Sequence, residues 1–251
     1  MLKALSCKSA VLLTITAMAT ACATVPRTEV VTERNSDTCV VLLHGLNRSL
    51  RAMEDMAAAL QAANFSTVNV DYPSQQGTVE TLAPEVVDLG VAQCRATGAK
   101  KIDFVTHSLG GILLRYAQQQ KPIPELNRVV MLGPPNQGSE VIDRTRNWPG
   151  AEIVGGQIGL QLGTDEEGIP ARLGPVDFEL GIIAGVGTIN PFMSAILPSY
   201  DDGKVSVEGT RVKGMTDFMI VQSSHHYLMN SETVIQNTIG FLQTGLFPRI
   251  R

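Results

Sequence analysis

Ser108 lies in Val105-Thr106-His107-Ser108-Leu109-Gly110-Gly111, between a β-prone run and a helical run. A serine on a sharp strand-to-helix turn is exposed for nucleophilic attack, and that turn tolerates only small neighbours. Gly110 and Gly111 meet this need, whereas Thr106 stands where the elbow pattern G-x-S-x-G has its first glycine. A serine hydroxyl is a poor nucleophile until a base takes its proton. The chain has 4 histidines, so the base can be sought by elimination. His107 adjoins Ser108, and neighbours on a tight turn point apart. His44 ends the first apolar run in Leu43-His44-Gly45-Leu46, where backbone is wanted for another task. His225 and His226 are left, in a loop after a later β-prone run. The acid that orients the base has two candidates, Asp201 and Asp202, in Tyr200-Asp201-Asp202-Gly203-Lys204-Val205. An oxyanion would be met by the backbone N–H of Leu109, directly after the serine, and by that of Leu46. No cysteine or carboxylate cluster accompanies the histidine pair at ligand spacing, so neither a metal nor a cofactor is expected.

These groups need a scaffold that brings distant loops together. Thr38 to Leu43 is a continuous apolar run, as expected of a strand covered on both faces. Helical spacing follows from Leu50 to Leu60, and again from Val79 to Cys94 and from Leu109 to Gln120. Further strands are expected at Ser66 to Val70, Ile102 to Thr106, Arg128 to Leu132, Leu180 to Val186 and Asp217 to Val221, with a closing helix from Ser231 to Gln243. Alternating strands and helices imply an α/β fold: a compact, doubly wound, mostly parallel sheet of about six strands flanked by helices. Sites in such folds assemble at the carboxyl ends of the strands. Residues 38–251 are expected to form this domain, with 22–37 as a linker. Between Gly150 and Gly187 fall 10 of the chain's 23 glycines, and the stretch near 148–178 is expected to be a Gly-rich loop or lid.

Composition narrows the function. With 44% hydrophobic residues in 251, a sizeable core is available and disorder is excluded. The balance of 20 basic against 24 acidic residues supplies no footprint for nucleic acid. Lys3 and Lys8 precede the 12-residue apolar core Ala10 to Ala21, the pattern of an export signal over residues 1–21. Ala19-Thr20-Ala21-Cys22 resembles a bacterial lipobox, with Ala19 in the usual leucine position, and makes Cys22 the expected lipid anchor. Ordinary Ala-x-Ala processing after Ala23 is the alternative. Either route carries the chain to the periplasm or cell envelope, where disulfides persist.

The motifs together resemble a lipase-type member of the α/β-hydrolase superfamily. The resemblance rests on Leu42-Leu43-His44-Gly45-Leu46, Asp71-Tyr72-Pro73-Ser74, the elbow at Ser108 and Leu132-Gly133-Pro134-Pro135-Asn136-Gln137-Gly138-Ser139. It covers most of Thr38 to Leu242, with a weakly matched middle. Asn136 departs from the histidine that many lipases carry there and is expected to alter the pocket wall. In the family register the acid precedes a hydrophobic residue by three, which favours Asp202, and Ser224-His225 before Tyr227-Leu228-Met229 favours His225. The family's two leading strands are expected to be missing, and its topology implies a disulfide between Cys39 and Cys94. The implied activity is a serine ester hydrolase acting on a small-molecule or lipid ester through Ser108, Asp202 and His225. An acyltransferase with the same residues, or a non-catalytic surface lipoprotein on the same scaffold, are the alternatives.

Overall fold

The computed structural model describes residues 25–32, 37–187, 197 and 200–250; the expected export signal and Cys22 lie outside the described residues. Seven strands form one sheet: β1 (Arg27–Val31), β2 (Thr38–Leu43), β3 (Ser66–Asp71), β4 (Lys101–His107), β5 (Leu126–Leu132), β6 (Glu179–Gly185) and β7 (Asp217–Val221). Their order is β1-β3-β2-β4-β5-β6-β7, and every pairing is parallel except β1 with β3. The continuous apolar runs behave as expected for strands covered twice. In β2 the side chains of Val41 and Leu43 enter one core, and those of Val40 and Leu42 enter the other. Helices α2 (Val79–Ala96) and α3 (Leu109–Gln120) cover the first face; α1 (Glu54–Ala62) and the closing helix (Glu232–Thr244) cover the second.

Two expectations change. The sheet has a seventh strand, β1, inside the stretch expected to be a linker. An edge strand with largely solvated side chains is held by backbone pairing to one neighbour, here β3, so it needs no apolar run to announce it. The Gly-rich stretch is not an open loop either. Helix α4 (Glu140–Thr145) lies just upstream, and the stretch itself contains α5 (Ala151–Leu160), kinked at Gly156, and α6 (Ile169–Arg172). Ile158, Leu162, Ile169 and Leu173 bury their side chains in the α2/α3 core, which anchors the segment despite its glycines.

Cys39 at the start of β2 is bonded to Cys94 in the last turn of α2, with Cα atoms 5.6 Å apart. The bridge lies at the amino ends of the parallel strands, away from the loops that follow their carboxyl ends. It closes a loop spanning 55 residues, so its main expected effect is to restrict the unfolded chain. Urea unfolding with and without reductant should show the oxidised protein more stable by about 2–4 kcal/mol. Coincident transitions would mean that the crosslink contributes nothing.

Candidate active site

The loops after β2, β4, β5 and β7, and the segment between β6 and β7, meet at the carboxyl edge of the sheet. Ser108 is the single residue between β4 and α3, and it turns the chain with φ 51° and ψ −117°. Such a conformation is costly for a residue with a Cβ, and it holds only where the surroundings over-determine it. Its N–H donates to the Leu132 carbonyl and its own carbonyl accepts from Gly111. A Cβ at Gly110 would lie 2.7 Å from the Leu43 carbonyl oxygen, so glycine lets α3 start directly against the end of β2. Thr106, larger than the pattern asks, is fully buried with its hydroxyl 3.3 Å from where a Cβ on residue 111 would stand. Gly111 thus supplies the space that a first glycine would otherwise have left. Leu109 opens α3, where a first-turn N–H has no intrahelical acceptor.

Asp202 and His225 are brought together. His225 Nδ1 donates to Asp202 Oδ2 at 2.7 Å, and both side chains are buried. The other carboxylate oxygen accepts from the N–H groups of Lys204 at 3.0 Å and Val205 at 2.9 Å. A carboxylate can only accept, so Nδ1 carries a proton, and in the neutral tautomer this leaves Nε2 as the acceptor. The backbone repeats the link, with His225 N–H donating to the Asp202 carbonyl. Asp201 does not reach His225; its carboxylate closes its own turn by accepting from Gly203 N–H at 2.7 Å. His226 turns outward, where its Nδ1 accepts from Arg48 at 2.6 Å.

Several supporting residues escaped the sequence reading. Gly133, at φ 54°, is packed so closely that a Cβ there would lie 2.9 Å from Asp202 Oδ2 and 3.1 Å from His225 Nδ1. Its place in the Gly133-to-Ser139 motif was the available signal. His107 donates from Nε2 to the His225 carbonyl at 2.9 Å, fixing the loop that carries the imidazole. Burial first, then the neighbouring His225, hold its pKa well below the ordinary range. His44 stacks on Tyr72 with ring centres 3.9 Å apart, donates from Nδ1 to the Gly45 carbonyl and accepts from Tyr72 N–H at Nε2. The Tyr72 hydroxyl donates to the His44 carbonyl, so ring and backbone together set the path into Leu46. Asn136 does not form the pocket wall. It is buried, accepts from Arg115 at 3.0 Å and donates to the Thr210 carbonyl at 2.8 Å, tying its loop to α3 and to the turn at Val207–Thr210.

Ser108, His225 and Leu46 border one cavity of about 210 Å³, with Pro135, Val141 and Lys204 among its other walls. It meets a second hollow of about 270 Å³ that shares Leu46, Val141 and Ile142 and runs under α5 past Trp148 and Leu160. A larger hollow of about 640 Å³ follows edge strand β7 and touches none of these groups. Among the described residues, no group of three or more histidine, cysteine or acidic side chains could hold a metal ion. No helix among them is long and apolar enough to cross a membrane.

The sequence profile of the Alpha/beta hydrolase family matches residues 40–204. Among solved structures, the mature form of Bacillus licheniformis lipase BlEst2 is similar with a TM-score of 0.71 at 19% identity, over 88% of this chain and 98% of that one. Phospholipase PlaB from Legionella pneumophila gives 0.64 at 16%, over 83% of this chain and 59% of its own. A monoacylglycerol lipase from Paleococcus ferrophilus gives 0.57 at 17%, over 88% and 98%. At such identities the likeness is one of fold. No curated protein sequence matches the chain.

The buried histidines make stability depend on pH. His44 titrates near 4 instead of 6.5, chiefly because burial penalises its charged form. The unfolded chain therefore takes up this proton first as pH falls, and stability declines from about pH 6.5 before levelling off below about 4. The loss from this group is on the order of 3 kcal/mol. Asp103, raised to about 6 by burial, acts in the opposite sense: its contribution is present below about pH 4 and lost as pH rises to 6. Urea unfolding between pH 4 and 7 should show a smaller loss of stability on acidification for His44→Gln than for wild type, the dependence that remains being the balance of His107 and Asp103. Parallel profiles would show that His44 is not held neutral.

Proposed function

The chain belongs to the α/β-hydrolase family, and we propose that it is a serine ester hydrolase of the lipase/esterase type. The observation that carries this reading is the buried Asp202–His225 hydrogen bond on the cavity that Ser108 also borders. In the proposed reaction Ser108 Oγ attacks the ester carbonyl while His225 Nε2 takes its proton. Asp202 stabilises the imidazolium that forms. The negative charge on the carbonyl oxygen is met by the N–H groups of Leu46 and Leu109, which are fixed before the charge appears and so need no reorganisation. Collapse of the tetrahedral intermediate expels the alcohol, which receives the proton from His225. Water then attacks the acyl carbonyl as His225 takes its proton, and the second intermediate releases the acid while Ser108 Oγ recovers that proton from His225.

The hollow under α5 offers an apolar wall of Leu46, Val141, Ile142 and Leu160, suited to an acyl chain. In this reading the segment near 148–178 is the cover of the acyl site. Initial rates on nitrophenyl butyrate provide the test. Asp202→Asn should lower kcat by roughly 10⁴-fold, by withdrawing the acceptor that sets the His225 tautomer. His225→Ala should fall as far, and the double variant little further, because groups acting as a unit are not additive. Variants that keep wild-type rates would contradict these roles.

We further propose that residues 1–21 direct export and that Cys22 is lipidated in the cell envelope. The basic start, short apolar core and small residues before Cys22 support this, as does the Cys39–Cys94 disulfide, a bond favoured in oxidising compartments. Cells fed labelled palmitate should incorporate it into the wild-type protein, and Cys22→Ala should lose both the label and the membrane fraction. An unlabelled protein beginning at Thr24 would show ordinary processing instead.

A further inference from the structure

Arg48, Lys204 and His226 line the Ser108 cavity toward solvent, Arg48 being exposed and the other two half-buried. Neither Arg48 nor Lys204 has an ion pair among the described residues, although most basic side chains here do. Arg27 meets Asp71, Arg95 meets Glu125, Lys121 meets Asp88, Arg128 meets Glu179 and Arg249 meets Asp217. Arg146, which borders the apolar hollow, is neutralised by both Asp143 and Asp165. Asp202, which meets His225 at this cavity, does not answer Arg48 or Lys204, since both its oxygens are engaged by His225 and by backbone N–H groups. Acidic residues outnumber basic ones, 24 to 20, so two unmatched cations at one opening do not follow from composition.

The third member, His226, records the same field. Arg48 donates to its Nδ1, which requires that nitrogen to be unprotonated. Its proton affinity is lowered by burial first, then by Arg48, His225 and Lys204, with Asp202 opposing. The His226 contact also holds the guanidinium at the opening instead of leaving it to swing in solvent. A planar guanidinium and a compact ammonium approaching from different elements suit a tetrahedral oxyanion, which presents acceptors in several directions.

We infer that Arg48, Lys204 and His226 bind a phosphate group on the alcohol side of the substrate, so that the enzyme's substrates are acyl esters of phosphate-bearing alcohols. This inference rests on the ester-hydrolase reading above and names the substrate class of that site. The acyl chain takes the hollow under α5, the carbonyl sits at Ser108, and the phosphate lies at the basic mouth with Lys204 at the junction of the two spaces.

A matched pair of substrates tests it: hexanoyl glycerol and hexanoyl glycerol phosphate, both below their aggregation limits. For the wild type, kcat/KM should be at least about tenfold higher for the phosphate ester, the worth of one charge-assisted hydrogen bond. Added salt should shrink that advantage. Arg48→Gln and Lys204→Gln should each lower the phosphate-to-neutral ratio, the double variant should bring it near one, and Lys204→Arg should restore most of it. Calorimetry on Ser108→Ala should show the same preference in binding without turnover. Equal kcat/KM for the two esters, or a ratio unmoved by the double variant, would overturn the inference and leave the hydrolase reading standing. Preferential binding of the phosphate ester with neither ester cleaved by wild type would sink the hydrolase reading and keep the anion site. Inorganic phosphate binding Ser108→Ala as tightly as the whole ester would mark a site for free phosphate, and the assignment to substrate would fall.

Discussion

The backbone of Ser108 is the constraint on which the site depends. A residue with a side chain is held at φ 51° between β4 and α3, at a cost of about 1–3 kcal/mol for such a conformation. What holds it there is the packing of α3 against the end of β2, a contact with no room for a Cβ at residue 110. That contact also sets the relative position of the two loops whose N–H groups, at Leu46 and Leu109, are assigned to the oxyanion. Strands β2 and β4, buried along all but their first residues, make the frame stiff, because their side chains fill cores on both faces. The strain is thus offset by the packing of this frame.

The 4 histidines show how environment divides one residue type among different tasks. His44 is stacked and hydrogen-bonded in its neutral form, and serves the backbone of the loop after β2. His107 is buried and braces the carbonyl of residue 225. His226 faces outward and accepts from a guanidinium. Only His225 has a carboxylate on Nδ1 and a cavity in front of it, which is why the roles proposed for proton transfer fall to it.

Much of this was legible in the chain because the signals are local. The elbow is one contiguous heptapeptide, and strands buried on both faces must be written as unbroken apolar runs. Scarcity reduced the histidine choice to His225 and His226, and the family resemblance favoured His225. What could not be read has a physical reason in each case. Strand β1 is solvated and held by backbone bonds, so it leaves no periodic trace. The segment 148–178 buries Ile158, Leu162 and Ile169 at spacing interrupted by glycines, and glycine content reports backbone freedom without saying where the chain will settle. Gly133 matters for a side chain it lacks, next to residues some 70 and 90 positions later, and the Arg48–His226 pair joins residues 178 apart. Such contacts exist only once the sheet has brought the loops to one edge.

The central claim is that Ser108 is a nucleophile made reactive by His225. The most direct measurement is active-site labelling with a fluorophosphonate, followed by mass analysis of the modified peptide. The account predicts one adduct, on Ser108, formed by the wild type and lost when His225 is replaced by alanine. An adduct on another serine, no adduct on folded protein, or undiminished labelling without His225 would contradict it.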